Sequence, residues 1–305
     1  MEMARFFGKA EIEEASLTAV GRVRRQNEDA VGDPHILAHL IGENVHLAKR
    51  GRLYAVADGM GGHVRGEVAS QMAIETLFQT LYSLTLDPIS ALRQSIIAAN
   101  AAVYAAGTEQ PAVVEELSRP LAGTDESERF SREPALASNR AAPSNPAANP
   151  DHREAKHPRM GTTLVAALMC EEQLYLGNVG DSRAYLLRKG QLSQLTEDHS
   201  LIAEEVRLGV LTAEEAFRAP FKNVITRAVG FRPEVEADFR QIALLAGDVL
   251  LLCSDGLHSV VEPEAIRQAL EKLAPHKAAR YLIDTANAKG GPDNISVVIV
   301  KFNRF

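Results

Sequence analysis

The eleven residues LYAVADGMGGH, 53 to 63, constrain this chain more than any other stretch. Five apolar or aromatic residues in a row read as a buried strand. The run ends on Asp58, and three of the next four residues are glycine. A carboxylate at the end of such a strand costs several kcal/mol to desolvate unless it is paired or binds a metal ion. The rest of the sequence has to supply its partner.

Three more carboxylates stand in matching places. Asp255 follows VLLLCS, Asp293 precedes NISVVIV, and Asp29 closes RRQNED. Singly, each has an ordinary explanation: an Asp-Gly at a strand end or GGPDN is a turn, and NED is a solvated loop. If their strands are neighbours, however, the four converge at one rim, where uncompensated like charges repel. Divalent cations resolve that conflict. Carboxylates without Cys or paired His favour hard Mg²⁺ or Mn²⁺ over zinc, and the glycines at 59, 61 and 62 let backbone carbonyls approach an ion closely.

The remaining pattern predicts helices and hairpins in one α+β unit. Ile74, Leu77, Phe78 and Leu81 follow helical spacing, as do Ile89, Leu92, Ile96, Ala99 and Val103, with Pro88 at a helix start and Gly107 at a helix end. TTLVAALMC, QLYLGNVG, SRAYLLRKGQL and DVLLLCSDG read as strands, with Lys189-Gly190 at a hairpin tip. Two more helices, PEAIRQALEKLA and PHKAARYLIDTANAKGG, precede a closing strand NISVVIVKF. Hairpins interrupted by paired helices suggest antiparallel sheets covered by helices rather than a βαβ repeat. Seven of the 14 prolines fall within residues 109 to 158, a stretch rich in Ser, Ala, Asn and Glu. Such a composition buries too little apolar surface to offset its ordering entropy, so 109–157 is expected to be a flexible insertion within a single domain spanning 1–305.

Charge and cysteine usage exclude several classes of function. A net charge of −7 and a pI near 5.8 offer no general positive field to nucleic acid. No run approaches the roughly 18 apolar residues of a membrane span, and the first residues lack the apolar segment of a secretion signal. Cys170 and Cys253, each among apolar neighbours, read as core thiols in a reducing compartment. A cytoplasmic protein follows, with a monomer expected because no exposed apolar heptad is present.

Seven stretches then agree, in order, with one known family. GRVRRQNEDA, VADGMGGHVRGEVAS, MGTTLVAAL, LGNVGDSRAYLLRKGQLSQLTEDHS, NVITRAVG, LLLCSDGL and GPDNISVVIV together resemble the metal-dependent Ser/Thr protein phosphatases, the protein phosphatase 2C family, over about residues 16 to 302. The resemblance implies a four-layer αββα sandwich of two antiparallel sheets flanked by helices, with two Mn²⁺ or Mg²⁺ ions at one edge. It implies Asp58 as the bridging ligand, the Gly59 carbonyl as a further ligand, Asp29, Asp255 and Asp293 positioning the ions, and Arg24 binding phosphate, with Arg22 and Arg25 as competitors. His63 is a candidate general acid for the leaving oxygen, set against a structural or surface role; the animal enzymes place their histidine where Met60 stands. Bacterial-type members carry an Asp shortly before MGTT, where this chain has KHPR, so a third ion is expected to be weak or absent. Residues 199–230 match a flap beside the site. Phosphorylated proteins, including a Ser/Thr kinase or its substrates, are the implied partners. An inactive regulatory module of the same fold, or a phosphatase of small phosphate esters, are the alternatives.

Overall fold

The computed structural model describes residues 11–38, 50–61, 64–108, 160–212, 215 and 224–304. Eleven strands are present among them: β1 (Glu11–Ala19), β2 (Asp29–Gly32), β3 (Arg52–Met60), β4 (Gly161–Thr162), β5 (Leu164–Cys170), β6 (Gln173–Val179), β7 (Arg183–Arg188), β8 (Gln191–Gln194), β9 (Asp238–Ala243), β10 (Val249–Cys253) and β11 (Ile295–Arg304). They form two antiparallel sheets. One runs β1-β11-β10-β7-β8, and the other runs β2-β3-β5-β6-β9 with β4 added on β3.

Strand alternation sorts the side chains into layers. From β3, Tyr54 and Val56 join Leu250 and Leu252 of β10 and Val298, Val300 and Phe302 of β11 in the core between the sheets. The alternate residues Leu53, Ala55 and Ala57 face helices α1 (Val64–Ser83) and α2 (Pro88–Thr108), meeting Ile74, Leu77, Phe78, Leu92 and Ile96. On the far side, Val249, Leu251 and Cys253 pack with Ile266, Leu270, Leu282 and Ile283 of α5 (Pro263–Lys272) and α6 (Pro275–Ala288). The expected four-layer α+β sandwich is therefore what forms. Two short helices, α3 (Leu201–Arg207) and α4 (Asp255–His258), complete the described elements.

Local signals behave as their chemistry dictates, with some corrections. Lys189 and Gly190 adopt φ of 50° and 78° and make the β7–β8 hairpin tip. Gly107 lies within the last turn of α2 rather than beyond it. Cys253 is buried, whereas Cys170 is only half-buried at the end of β5, so one of the two thiols is not a core residue. Strands β1 and β9 were not expected from the sequence; EIEEASLTA and DFRQIA expose charged residues on one side and occupy sheet edges, where apolar content is low. The 109–157 insertion lies outside the described residues.

Candidate metal centre

Register brings the first two carboxylates together. In the β2–β3 pair Asp29 stands directly opposite Asp58, so their side chains leave the same face of the sheet. That face is the one that carries Tyr54 and Val56 into the inter-sheet core. Asp58 thus occupies the end of the apolar layer, where the sandwich opens. Across the gap, Ser254 follows β10 and donates from Oγ to Asp29 Oδ2 at 2.7 Å, while the Ser296 amide donates to Ser254 Oγ at 3.0 Å. Thr163 and Ser182 bridge the sheets at the same end, with hydroxyl oxygens 2.7 Å apart. A layer of hydroxyls therefore separates the apolar interior from the acids above it.

Asp255 and Asp293 line the same cleft as Asp58, a space of about 540 Å³. Asp255 opens α4 directly after Ser254. Asp293 accepts from Arg24 Nη2 at 2.7 Å on Oδ2 and from the Asn294 amide at 2.8 Å on Oδ1. Asn294 ties the loop before β2 to the start of β11: its Nδ2 donates to the Val20 and Gln26 carbonyls, and its Oδ1 accepts from the Glu28 amide. Arg25 also lines the cleft; Arg22 is held at its backbone by the Gly291 carbonyl. His63 lies outside the described residues.

Close backbone approach explains two of the glycines. A Cβ on Gly59 would sit 2.1 Å from the Gly66 carbonyl oxygen and 2.5 Å from that of Glu28, and one on Gly256 would sit 1.9 Å from that of Asn294. Asp58 is fixed through its own backbone, its amide donating to Thr163 Oγ1 at 2.9 Å and its carbonyl accepting from Thr162 Oγ1 at 2.9 Å. The TT of MGTT is thus the clamp on Asp58.

A fifth carboxylate was missed by sequence reasoning. Asp181 is buried, lines the cleft and feels the charge of Asp255. Its signal was present: QLYLGNV is an apolar strand, and Gly180 at φ 105° makes the turn that delivers the acid. His199 holds that turn, accepting from the Gly180 amide at Nδ1 (3.1 Å), which leaves Nε2–H to donate to Asp238 Oδ2 at 3.1 Å.

Burial pushes Asp29 up to about 7 despite the bonds from Ser254 and Ser296. Burial, then the charges of Asp255 and Asp198, push Asp181 to about 7. Burial, then Asp293, raise Asp255 to about 6. Asp58 is driven well above the carboxylate range by burial and by Asp29, Asp255, Asp181 and Asp293. Oδ1 of both Asp29 and Asp255 is buried without any hydrogen-bond partner.

Among the described residues no three acidic, His or Cys side chains are already drawn into a closed ligand set. Asp58, Asp181, Asp255 and Asp293 line the cleft with Asp29 behind Asp58, and their charges raise one another's proton affinity. Orphaned buried oxygens, mutual charge and hard donors fit divalent Mg²⁺ or Mn²⁺.

Comparison with known proteins agrees with this geometry. Residues 41–288 match the family model for protein phosphatase 2C. The chain is 34% identical over 288 residues to the serine/threonine phosphatase stp of Listeria innocua, covering 93% of each, and 32% identical over 289 residues to protein phosphatase PhpP of Streptococcus pneumoniae, covering 94% of this chain and 96% of that one. It superposes with a TM-score of 0.69 on the crystal structure of the catalytic domain of the serine/threonine protein phosphatase PstP in complex with two manganese ions, at 32% identity and 96% and 99% coverage. A match that spans most of the chain, and relatives above 30% identity along nearly all of it, establish that this protein belongs to the protein phosphatase 2C family.

Proposed function

We propose that the chain hydrolyses phosphoserine and phosphothreonine in proteins, using the carboxylate end of the sandwich to hold two divalent ions. The observation that carries this reading is Asp58, lining one cleft with Asp255, Asp293 and Arg24 and paired across strands with the buried Asp29. When bound, hard divalent ions supply an ionised water at neutral pH and stabilise charge on the phosphoryl oxygens. Asp58, Asp29, Asp255 and Asp293, with the Gly59 carbonyl, are the residues that would hold them, and Asp181 adds charge on the Asp255 side. Ser254 fixes Asp29 through Oδ2, and Oδ1, buried and without a partner, is the oxygen that would be free to serve an ion.

Arg24 serves the phosphate. One of its terminal nitrogens is on Asp293, and the half-exposed guanidinium keeps donors for two phosphoryl oxygens. Val23, Ile225 and Phe231 give the cleft an apolar rim against which a peptide chain packs. His63 remains the candidate donor of a proton to the leaving oxygen.

Among the described residues no helix is long and apolar enough to cross a membrane. We further propose a cytoplasmic monomer acting on a Ser/Thr kinase or that kinase's substrates, with 1–305 as one phosphatase domain in which 109–157 is dispensable for turnover.

Hydrolysis of a phosphothreonine peptide and of p-nitrophenyl phosphate, with Mn²⁺ and with chelator, tests the function. Metal-dependent turnover of both is expected. Turnover of the small ester alone favours a small-ester phosphatase, and peptide binding without turnover favours a regulatory module.

A further inference from the structure

Helix α3 stands over a second cavity, of about 770 Å³, which shares Asp181 and Asp255 with the reaction cleft. One part of its wall is apolar: Ile202 and Val206 from α3, Val260 and Val261 from the turn between α4 and α5, and Pro263 at the start of α5. Its charges are mostly negative, and they divide into three groups. Asp198 is neutralised by Arg183, with Nε to Oδ1 at 2.9 Å and Nη2 to Oδ2 at 2.6 Å. Asp181 and Asp255 belong to the reaction cleft. Glu197, Glu204 and Glu262 are left over; none forms a salt bridge with another described residue, and the basic side chains beside them on the described lining are Arg207 and His258, the latter with Nε2 on the Asp181 carbonyl at 3.0 Å.

We propose that this cavity is a subsite for a lysine or arginine of the phosphoprotein substrate, its methylene stem along Ile202, Val206, Val260 and Val261 and its cationic head against Glu204 and Glu262. The inference rests on the protein-phosphatase function and specifies which proteins suit it. An anionic side chain would meet three carboxylates, and a purely apolar one would leave them idle. A long basic side chain satisfies both walls and rim. Because the cavity adjoins the reaction cleft and a residue spans about 3.3–3.6 Å of extended chain, the basic residue belongs within about three positions of the phosphoresidue.

A phosphothreonine peptide with lysine or alanine scanned over those positions, assayed with Mn²⁺, decides the matter. At one position or more, lysine should raise kcat/KM about fivefold to tenfold over alanine, and Glu204→Gln with Glu262→Gln should erase that advantage while leaving the alanine peptide and p-nitrophenyl phosphate unchanged. Glu204→Lys should shift the preference toward a glutamate peptide. No lysine advantage at any position, or an equal loss on lysine and alanine peptides in the double variant, overturns the subsite alone. Absence of turnover on every substrate, wild type included, removes the phosphatase function and the subsite with it.

Discussion

Strand β10 carries an aspartate at each end, Asp248 fully buried and Asp255 half-buried, and the two are opposites. Asp248, just before the strand, accepts from Arg188 Nε and Nη2 at 2.9 and 2.6 Å and from the Leu245 amide at 2.8 Å. Asp255, just after it, has a buried Oδ1 with no partner, and its pKa is raised to about 6. Both are strand-end carboxylates flanking the same apolar run, VLLLC. The first is satisfied by the protein, and the second keeps an oxygen with no partner among the described residues. At the two ends of this strand, satisfaction rather than position in the sequence separates the structural acid from the proposed ligand.

The comparison breaks most visibly at the functional end. Asp58→Asn should reduce kcat on a phosphothreonine peptide by about a thousandfold or more while the protein stays folded, since it removes a ligand and relieves repulsion. Circular dichroism beside the kinetics checks both halves.

The next largest effect is on pH-dependent stability without metal. Asp29, Asp181 and Asp255 have folded pKa values of about 7, 7 and 6, against about 3.9 when unfolded. Between pH 4 and 7 the folded state therefore binds more protons than the unfolded state, and stability falls as pH rises. Neighbouring charges share this penalty, so the loss from pH 5 to 8 should be on the order of 3 kcal/mol, about 5 °C in Tm, rather than a simple sum. Excess Mn²⁺ should flatten the slope, because the ions take the place of the protons; calorimetry in chelator and in Mn²⁺ reads the difference.

At the structural end the signature inverts. Asp248→Asn should cost about 2 kcal/mol of stability by leaving the Arg188 fork without its charge, with kcat on folded protein unchanged; urea denaturation and kinetics on the same sample test this. Smallest is Ser254→Ala, which removes the hydroxyl orienting Asp29. It should weaken Mn²⁺ binding about tenfold and leave the pH slope in chelator nearly intact.

How far all this was legible depends on the range of the interactions involved. Asp58 and Asp255 were readable because each follows a run of apolar residues, and Lys189-Gly190 because a hairpin tip is a local event. The α1 and α2 faces were readable from their spacing. Asp181 announces itself just as locally, after QLYLGNV, but its glycine turn resembles any other. The direct Asp29–Asp58 pairing is a matter of register between β2 and β3, and the Ser254–Asp29 bond spans 225 residues of sequence. No local pattern encodes either. Strand β1 was hidden because an edge strand with charged outward residues lacks an apolar run, although its register along β11 covers all nine residues.

Calorimetric titration of the metal-free protein with Mn²⁺, beside Asp58→Asn, tests the central claim most directly. Two ions per chain are predicted for the wild type, with binding to Asp58→Asn weakened by at least about a hundredfold. Failure of the wild type to bind Mn²⁺ or Mg²⁺, or unchanged stoichiometry and affinity in Asp58→Asn, would contradict it.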